Sequence, residues 1–172
     1  MTEQPTVAIL MGSKNDLKHL SGAFKILKDF NIPFTARVMS AHRTPAKAVE
    51  FATSAEENGV KVFICVAGMA AHLGGVVAAH TTLPVIGLPM ACEPFNGLDA
   101  LLATVQMPPG IPVASVTVGA AGAKNAALYA ASILALSDTK IATKLKEFRK
   151  EQTAIVSEAD EELLSQINSG EI

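Results

Sequence analysis

The chain has 172 residues, 49% of them apolar and only 17% charged, with 14 basic residues against 16 acidic ones. This fits one globular domain with a sizeable core; it excludes disorder, and the even charge balance without a basic stripe speaks against nucleic-acid binding. Two cysteines, Cys65 and Cys92, cannot make a disulfide scaffold and share no metal-ligand spacing, and no stretch reaches the roughly 18 apolar residues of a membrane helix. Met1 to Pro5 lacks the basic and apolar regions of a signal peptide, so the expected location is cytoplasmic. Charged residues fall below the roughly 25% of typical domains, which suggests apolar surface buried against other copies of the chain. A monomer with a more apolar surface is the alternative.

The elements alternate. Thr6 to Met11 is an apolar run ended by Gly12, a buried strand. Leu17, Leu20, Phe24, Leu27 and Phe30 recur at three- and four-residue steps and predict one amphipathic helix, broken at Pro33. Phe34 to Met39 forms a second strand. Thr44-Pro45 opens a helix carrying Ala48, Phe51, Ala52 and Ala55, stopped by Asn58-Gly59. Val60 to Ala67 is a third, β-branched strand. Gly68 to Ala79 is partly helical. A strand over Pro84 to Leu88 follows, then a helix over Leu98 to Val105. Next come a strand over Pro112 to Val118 and an Ala-rich helix over Ala123 to Leu136. The final segment, about 138–168, is polar and heptad-like, and reads as an arm helix packing on neighbouring subunits.

Five apolar strands separated by helices imply a single α/β domain: a three-layer sandwich around a parallel sheet of flavodoxin-like order 2-1-3-4-5. Such folds bind ligands at the carboxyl ends of the strands, where the order reverses. Here that is the group of loops after strands 1, 2 and 3.

Loop 1 is Gly12-Ser13-Lys14-Asn15-Asp16. Gly12 allows a tight turn, Ser13 offers a hydroxyl, and Asp16 sits where a helix cap is expected. Free amides there favour an anion; an ordinary capped turn is the alternative. Loop 2 is Ser40-Ala41-His42-Arg43-Thr44-Pro45. Arg43 can grip a phosphate through two hydrogen bonds, and His42 can exchange a proton near neutral pH. Their structural alternatives are a surface ion pair and a backbone-bonded imidazole. Loop 3 runs from Ala67 through Gly68, Met69, Ala70, Ala71, His72, Leu73 and Gly74 to Gly75. Its small side chains let backbone amides approach a ligand, or serve close helix–sheet packing. His72 fits a binding or structural role better than proton transfer. His19 and His80 read as solvated or packed, and no His-Glu-x-x-His spacing suggests a metal. Gly119 to Asn125 reads as a strand–helix turn, and Gln106 to Pro112 as a rigid turn able to reach a neighbouring site.

Taken together, Gly12-Ser13-x-x-Asp16, Ser40-Ala41-His42-Arg43-Thr44-Pro45, Ala70-Ala71-His72-Leu73, Gln106-Met107-Pro108-x-Gly110-Ile111-Pro112 and Asn125-Ala126-Ala127-Leu128 resemble one family in its own order. It is the class I N5-carboxyaminoimidazole ribonucleotide mutases of bacterial purine synthesis. The resemblance covers roughly residues 6–136 and most of the C-terminal helix. It implies transfer of a carboxylate from the exocyclic N5 of the substrate to C4, without cofactor, metal or ATP, in a homo-octamer. It assigns Ser13 and Arg43 to the phosphate and Asp16 to the ribose hydroxyls. Ser40 and Ala41 go to the base pocket, His42 to proton transfer. Gly68, Ala70, Ala71, His72 and Leu73 belong to the loop closing over base and carboxylate. The chain departs from the family pattern in loop 3, with Met69 at a usual Gly and Gly74 at a usual Pro. Asn15 and Leu17 replace a common Ser and Trp. The related carboxylase that takes free CO2 and aminoimidazole ribonucleotide is the nearest alternative. As family knowledge, it carries Lys at the position of Arg43 and an Arg-Ser-Asn loop in place of Ala70-Ala71-His72. A flavin-dependent flavodoxin-like enzyme and a non-catalytic nucleotide-binding module are more distant ones.

Overall fold

In a computed structural model, residues 4–172 are described; the first three residues of the N-terminal segment read above lie outside them. Five strands form one parallel sheet: β1 (Val7–Met11), β2 (Phe34–Val38), β3 (Val62–Gly68), β4 (Val85–Met90) and β5 (Ala114–Ser115), in the order β2-β1-β3-β4-β5. Val7 pairs with Phe34 on one side and Val62 on the other; Met11 pairs with Val38 and Val66. β1 and β4 are buried along their whole length, which is why they read as unbroken apolar runs rather than alternating ones.

Alternate residues of each strand enter different cores. Val7, Ile9, Met11 and Ile64 face α1 (Ser21–Asp29) and α5 (Gly119–Leu134), joining Leu20, Leu27 and a row of alanines. Ala8, Leu10, Phe63 and Cys65 face α2 (Pro45–Ser54) and α3 (Leu73–Ala78), joining Ala48, Ala52, Leu73 and Val77. A buried aliphatic side chain contributes about 1.5–3 kcal/mol, so both faces are strongly specified. Ala123, Ala126, Ala127, Ala130 and Ala131 are fully or almost fully buried on α5 and let that helix lie close to the sheet. Gly122 marks the tightest approach, because a Cβ there would fall on the Thr117 carbonyl oxygen.

Three elements differ from the sequence expectation. The expected single helix through Leu17 and Phe30 is two pieces, a 3-10 helix over Lys14–His19 and then α1. Leu20 fills the junction and is buried, whereas Leu17 faces outward with 43% of its surface exposed. The fifth strand pairs only over Ala114–Ser115, and α5 begins at Gly119 rather than Ala123. α4 (Leu98–Val105) has the expected bounds.

The chain closes with α6 (Thr139–Ser169), a 31-residue helix capped by the Asp138 carboxylate, which accepts the N–H groups of Lys140 and Ile141. Its first turns pack on the domain: Ile141 is buried, and Phe148 meets Phe30 edge-on at 6.3 Å. Beyond them Ile155, Val156, Leu163, Leu164 and Ile167 are exposed. No helix among the described residues is long and apolar enough to cross a membrane.

Candidate active site

Because β2, β1 and β3 are neighbours, the loops leaving their carboxyl ends lie side by side. Two hydrogen bonds tie them together. The Arg43 guanidinium donates from Nη2 to the Gly12 carbonyl at 2.9 Å, joining loops 1 and 2. His42 Nε2 lies 2.9 Å from His72 Nδ1, joining loops 2 and 3, with the ring planes at 81°. One imidazole must donate and the other accept, so this contact holds a single proton. His42, Arg43 and His72 are all exposed and open to a ligand.

Loop 1 is shaped by a reciprocal cap. Ser13, not Asp16, is the capping residue: its Oγ accepts the Asn15 N–H at 3.2 Å. The Asp16 carboxylate reaches back to accept the Ser13 N–H at 3.1 Å, the pairing expected three residues into a helix. The Ser13 hydroxyl proton and the second Asp16 oxygen are left for a ligand. Partial burial raises the Asp16 carboxyl above its ordinary value, against the opposing pull of the Ser13 N–H and the nearby His19 and Lys18.

Loop 2 is internally bonded. The Ser40 hydroxyl accepts the N–H groups of His42 at 3.3 Å and Arg43 at 3.1 Å, so its oxygen shapes the backbone beneath both side chains. Ala41 is half-buried beside them. In loop 3, Gly68 closes β3, and a Cβ there would meet Cys92 Sγ at 2.7 Å. Ala70 is exposed. Ala71 is buried, and the Leu73 side chain belongs to the core against α2, so of Leu73 only the backbone can face a ligand. Met69 and Ala71 both take positive φ, 56° and 40°. Met69 thus stands in the left-handed region that glycine adopts freely, at the position where the family pattern has Gly. Among the described residues no cluster of His, Cys, Asp and Glu could hold a metal ion.

A cavity of about 910 Å³ opens at the opposite, amino end of the sheet, between Glu56, His80, Pro84, Ile111 and Tyr129. It holds none of the loop residues. The chemistry-bearing side chains of the three loops lie at the carboxyl end, where this fold class binds ligands, and not in this hollow.

Residues 6–154 match the family model described as AIR carboxylase. The chain belongs to the AIR carboxylase family. It is 48% identical over 161 residues to the N5-carboxyaminoimidazole ribonucleotide mutase of Bacillus subtilis, spanning 94% of this chain and 99% of that protein. It is 50% identical over 152 residues to the enzyme of the same name from Escherichia coli K12, spanning 88% and 90%. Among solved structures, PurE of Treponema denticola superposes with a TM-score of 0.83 at 33% identity, covering 92% of this chain and 98% of that one. The three-layer fold and the strand order are thus those of an AIR carboxylase family member. The strand order expected from the sequence brings loops 1, 2 and 3 to one end of the sheet, but it does not foretell that the His42 and His72 rings touch.

Proposed function

We propose that this chain is an N5-carboxyaminoimidazole ribonucleotide mutase, carrying the carboxylate of its substrate from N5 to C4 of the imidazole. The observation that carries the reading is the joint made by loops 1, 2 and 3, where a proton-exchanging imidazole, His42, adjoins a guanidinium anchored at an anion-friendly turn. In this reading Ser13 and Arg43 hold the phosphate, and Asp16 accepts the ribose hydroxyls. Ser40 and Ala41 border the base. Gly68, Ala70, Ala71, His72 and the Leu73 backbone close over base and carboxylate.

The chemistry needs two proton transfers, one to N5 and one from C4. The N5–carboxylate bond breaks, releasing CO2, and N5 gains a proton. The electron-rich C4 then attacks CO2, forming the new C–C bond. C4 now bears both hydrogen and carboxylate, and a base removes that hydrogen to restore the aromatic ring. An imidazole of reference pKa about 6.5 can give the first proton and take the second. His42 performs both steps. The small-residue loop 3 limits escape of CO2 between them, with backbone amides facing the carboxylate before and after its transfer.

The second reading is carboxylation of aminoimidazole ribonucleotide by free CO2, the activity after which the family is described. The mutase reading is favoured by the names of the relatives at about half identity, and by Arg43 and Ala70-Ala71-His72 in the two diagnostic loops. Ultraviolet absorbance separates the two. Conversion of the N5-carboxylated nucleotide, with little product from aminoimidazole ribonucleotide and bicarbonate, supports the mutase; the reverse pattern overturns it.

The working form in this reading is a cytoplasmic homo-octamer. Support for association of chains is the apolar row Ile155, Val156, Leu163, Leu164 and Ile167, which stays exposed on the outer half of α6 among the described residues. The number eight and the location are what the family resemblance implies. Light scattering should give the mass of eight chains.

A further inference from the structure

Thr44 stands at the N-cap of α2 with φ −138° and ψ 51°, directly before Pro45. A threonine there ordinarily accepts an N–H of the first helical turn. This one caps nothing. Its Oγ1 turns backward instead, accepting the Ser40 N–H at 2.9 Å and donating to the Ser40 carbonyl at 3.2 Å. The Thr44 N–H donates to the same carbonyl at 2.9 Å. Ser40 answers through its own hydroxyl, which accepts the N–H groups of His42 and Arg43. Ser40 and Thr44 thus bond each other across the loop, and Ser40 also bonds the backbone of the two residues displayed between them. The helix start forgoes a side-chain cap, and the loop gains a closed staple.

We propose that Thr44 is a positioning residue for the reaction: its hydroxyl fixes the turn from which His42 reaches His72 and Arg43 reaches Gly12. The inference rests on the mutase reading for its kinetic consequence, though not for its geometry. Thr44 touches no reacting atom. It acts because a shift of about 1 Å in a reacting group can cost about a hundredfold in rate. The α2 start is exposed at Pro45, Ala46 and Lys47, where water can satisfy free amides, so the stability lost with the cap is small while the geometry gained is specific.

The test compares Thr44→Val, which keeps the shape and removes the hydroxyl, with Thr44→Ser, which restores it. The full-length protein is assayed with N5-carboxyaminoimidazole ribonucleotide, and Tm and amide hydrogen exchange are measured alongside. Thr44→Val should lower kcat/KM by tenfold or more with Tm nearly unchanged, and Ser40 N–H exchange should quicken at least tenfold. Thr44→Ser should stay within threefold of the parent. Kinetics within twofold for the folded Val variant, or a Ser variant as impaired as Val, overturns the proposal. Should Thr44→Val not fold, the parent itself decides: a Ser40 amide exchanging at the unprotected rate contradicts the staple, and one slowed tenfold or more supports it. If the parent does not convert the substrate, the mutase reading fails by itself, and the exchange of Ser40 still tests the staple.

Discussion

His42 Nε2 and His72 Nδ1 lie 2.9 Å apart, so two loops separated by 30 residues share one proton. The nitrogen that would work on the substrate is thereby held in a fixed direction before any ligand arrives. His72 is the partner that sets which tautomer His42 presents, as a neighbouring hydrogen bond does for imidazoles generally.

His72→Asn should therefore lower kcat by about tenfold, less than the roughly 10²–10⁴ expected for loss of the acid–base group itself. Steady-state kinetics checks this against the loss on removing His42. Equal losses at the two positions would make His72 a proton-transfer group in its own right.

In the proposed function Arg43 serves phosphate binding. Its hydrogen bond to the Gly12 carbonyl aims the guanidinium over loop 1. A charge-assisted contact is worth about 1.5–3 kcal/mol. Arg43→Ala should raise KM about ten- to a hundredfold while kcat stays within threefold. An unchanged KM would move the phosphate elsewhere.

Asp16 gives a pH signature. Burial raises its carboxyl in the folded state, so between its unfolded and folded values the native protein holds the extra proton. The sign follows: stability falls as pH rises through that window, and the ionised form is the costly one. Asp16→Asn keeps an oxygen for the Ser13 N–H and removes the charge. Its Tm should match or exceed the parent's at pH 7, and the difference should vanish as pH falls below about 4, the ordinary aspartate range. The group is half open to water, so the gain stays within the 2–4 °C that about 1 kcal/mol is worth in a domain of this size. A variant less stable at pH 7 than at pH 4, relative to the parent, would contradict the sign.

Met69 holds φ 56° with its side chain 61% exposed, so its strain is not offset by packing. The left-handed conformation costs a side-chain residue about 1–2 kcal/mol, and glycine loses about 0.5–1 kcal/mol in chain entropy on folding. Met69→Gly should raise Tm by about 1–4 °C in calorimetry. A lower Tm would mean that Met69 makes a stabilising contact in the assembled protein.

Much of this was legible in the chain. β1 and β3 show themselves as apolar runs because both faces are covered. Pro45 and Gly59 punctuate α2 and its following turn as their backbone preferences require. What escaped is tertiary. Leu17 and Leu20 share a periodic pattern, yet only Leu20 meets the core, because the 3-10 turn rotates the chain between them. Asp16 looked like a cap because periodicity fixes a helix start only to within a few residues; the hydrogen bonds assign that role to Ser13. Thr44 before a proline signals a helix cap in any sequence, and nothing local shows its hydroxyl turning back to Ser40. The strand order 2-1-3 is expected from the sequence and found in the structure, but the contact of His42 with His72 also depends on the side-chain directions set by loops 2 and 3, which periodicity does not encode.

The central claim is that the His42 imidazole carries the proton. Its most direct test is His42→Asn, assayed for turnover of N5-carboxyaminoimidazole ribonucleotide and for binding of the same nucleotide. The account predicts binding within a few-fold of the parent and kcat lower by about 10²–10⁴. Turnover within tenfold of the parent, with binding intact, would contradict it.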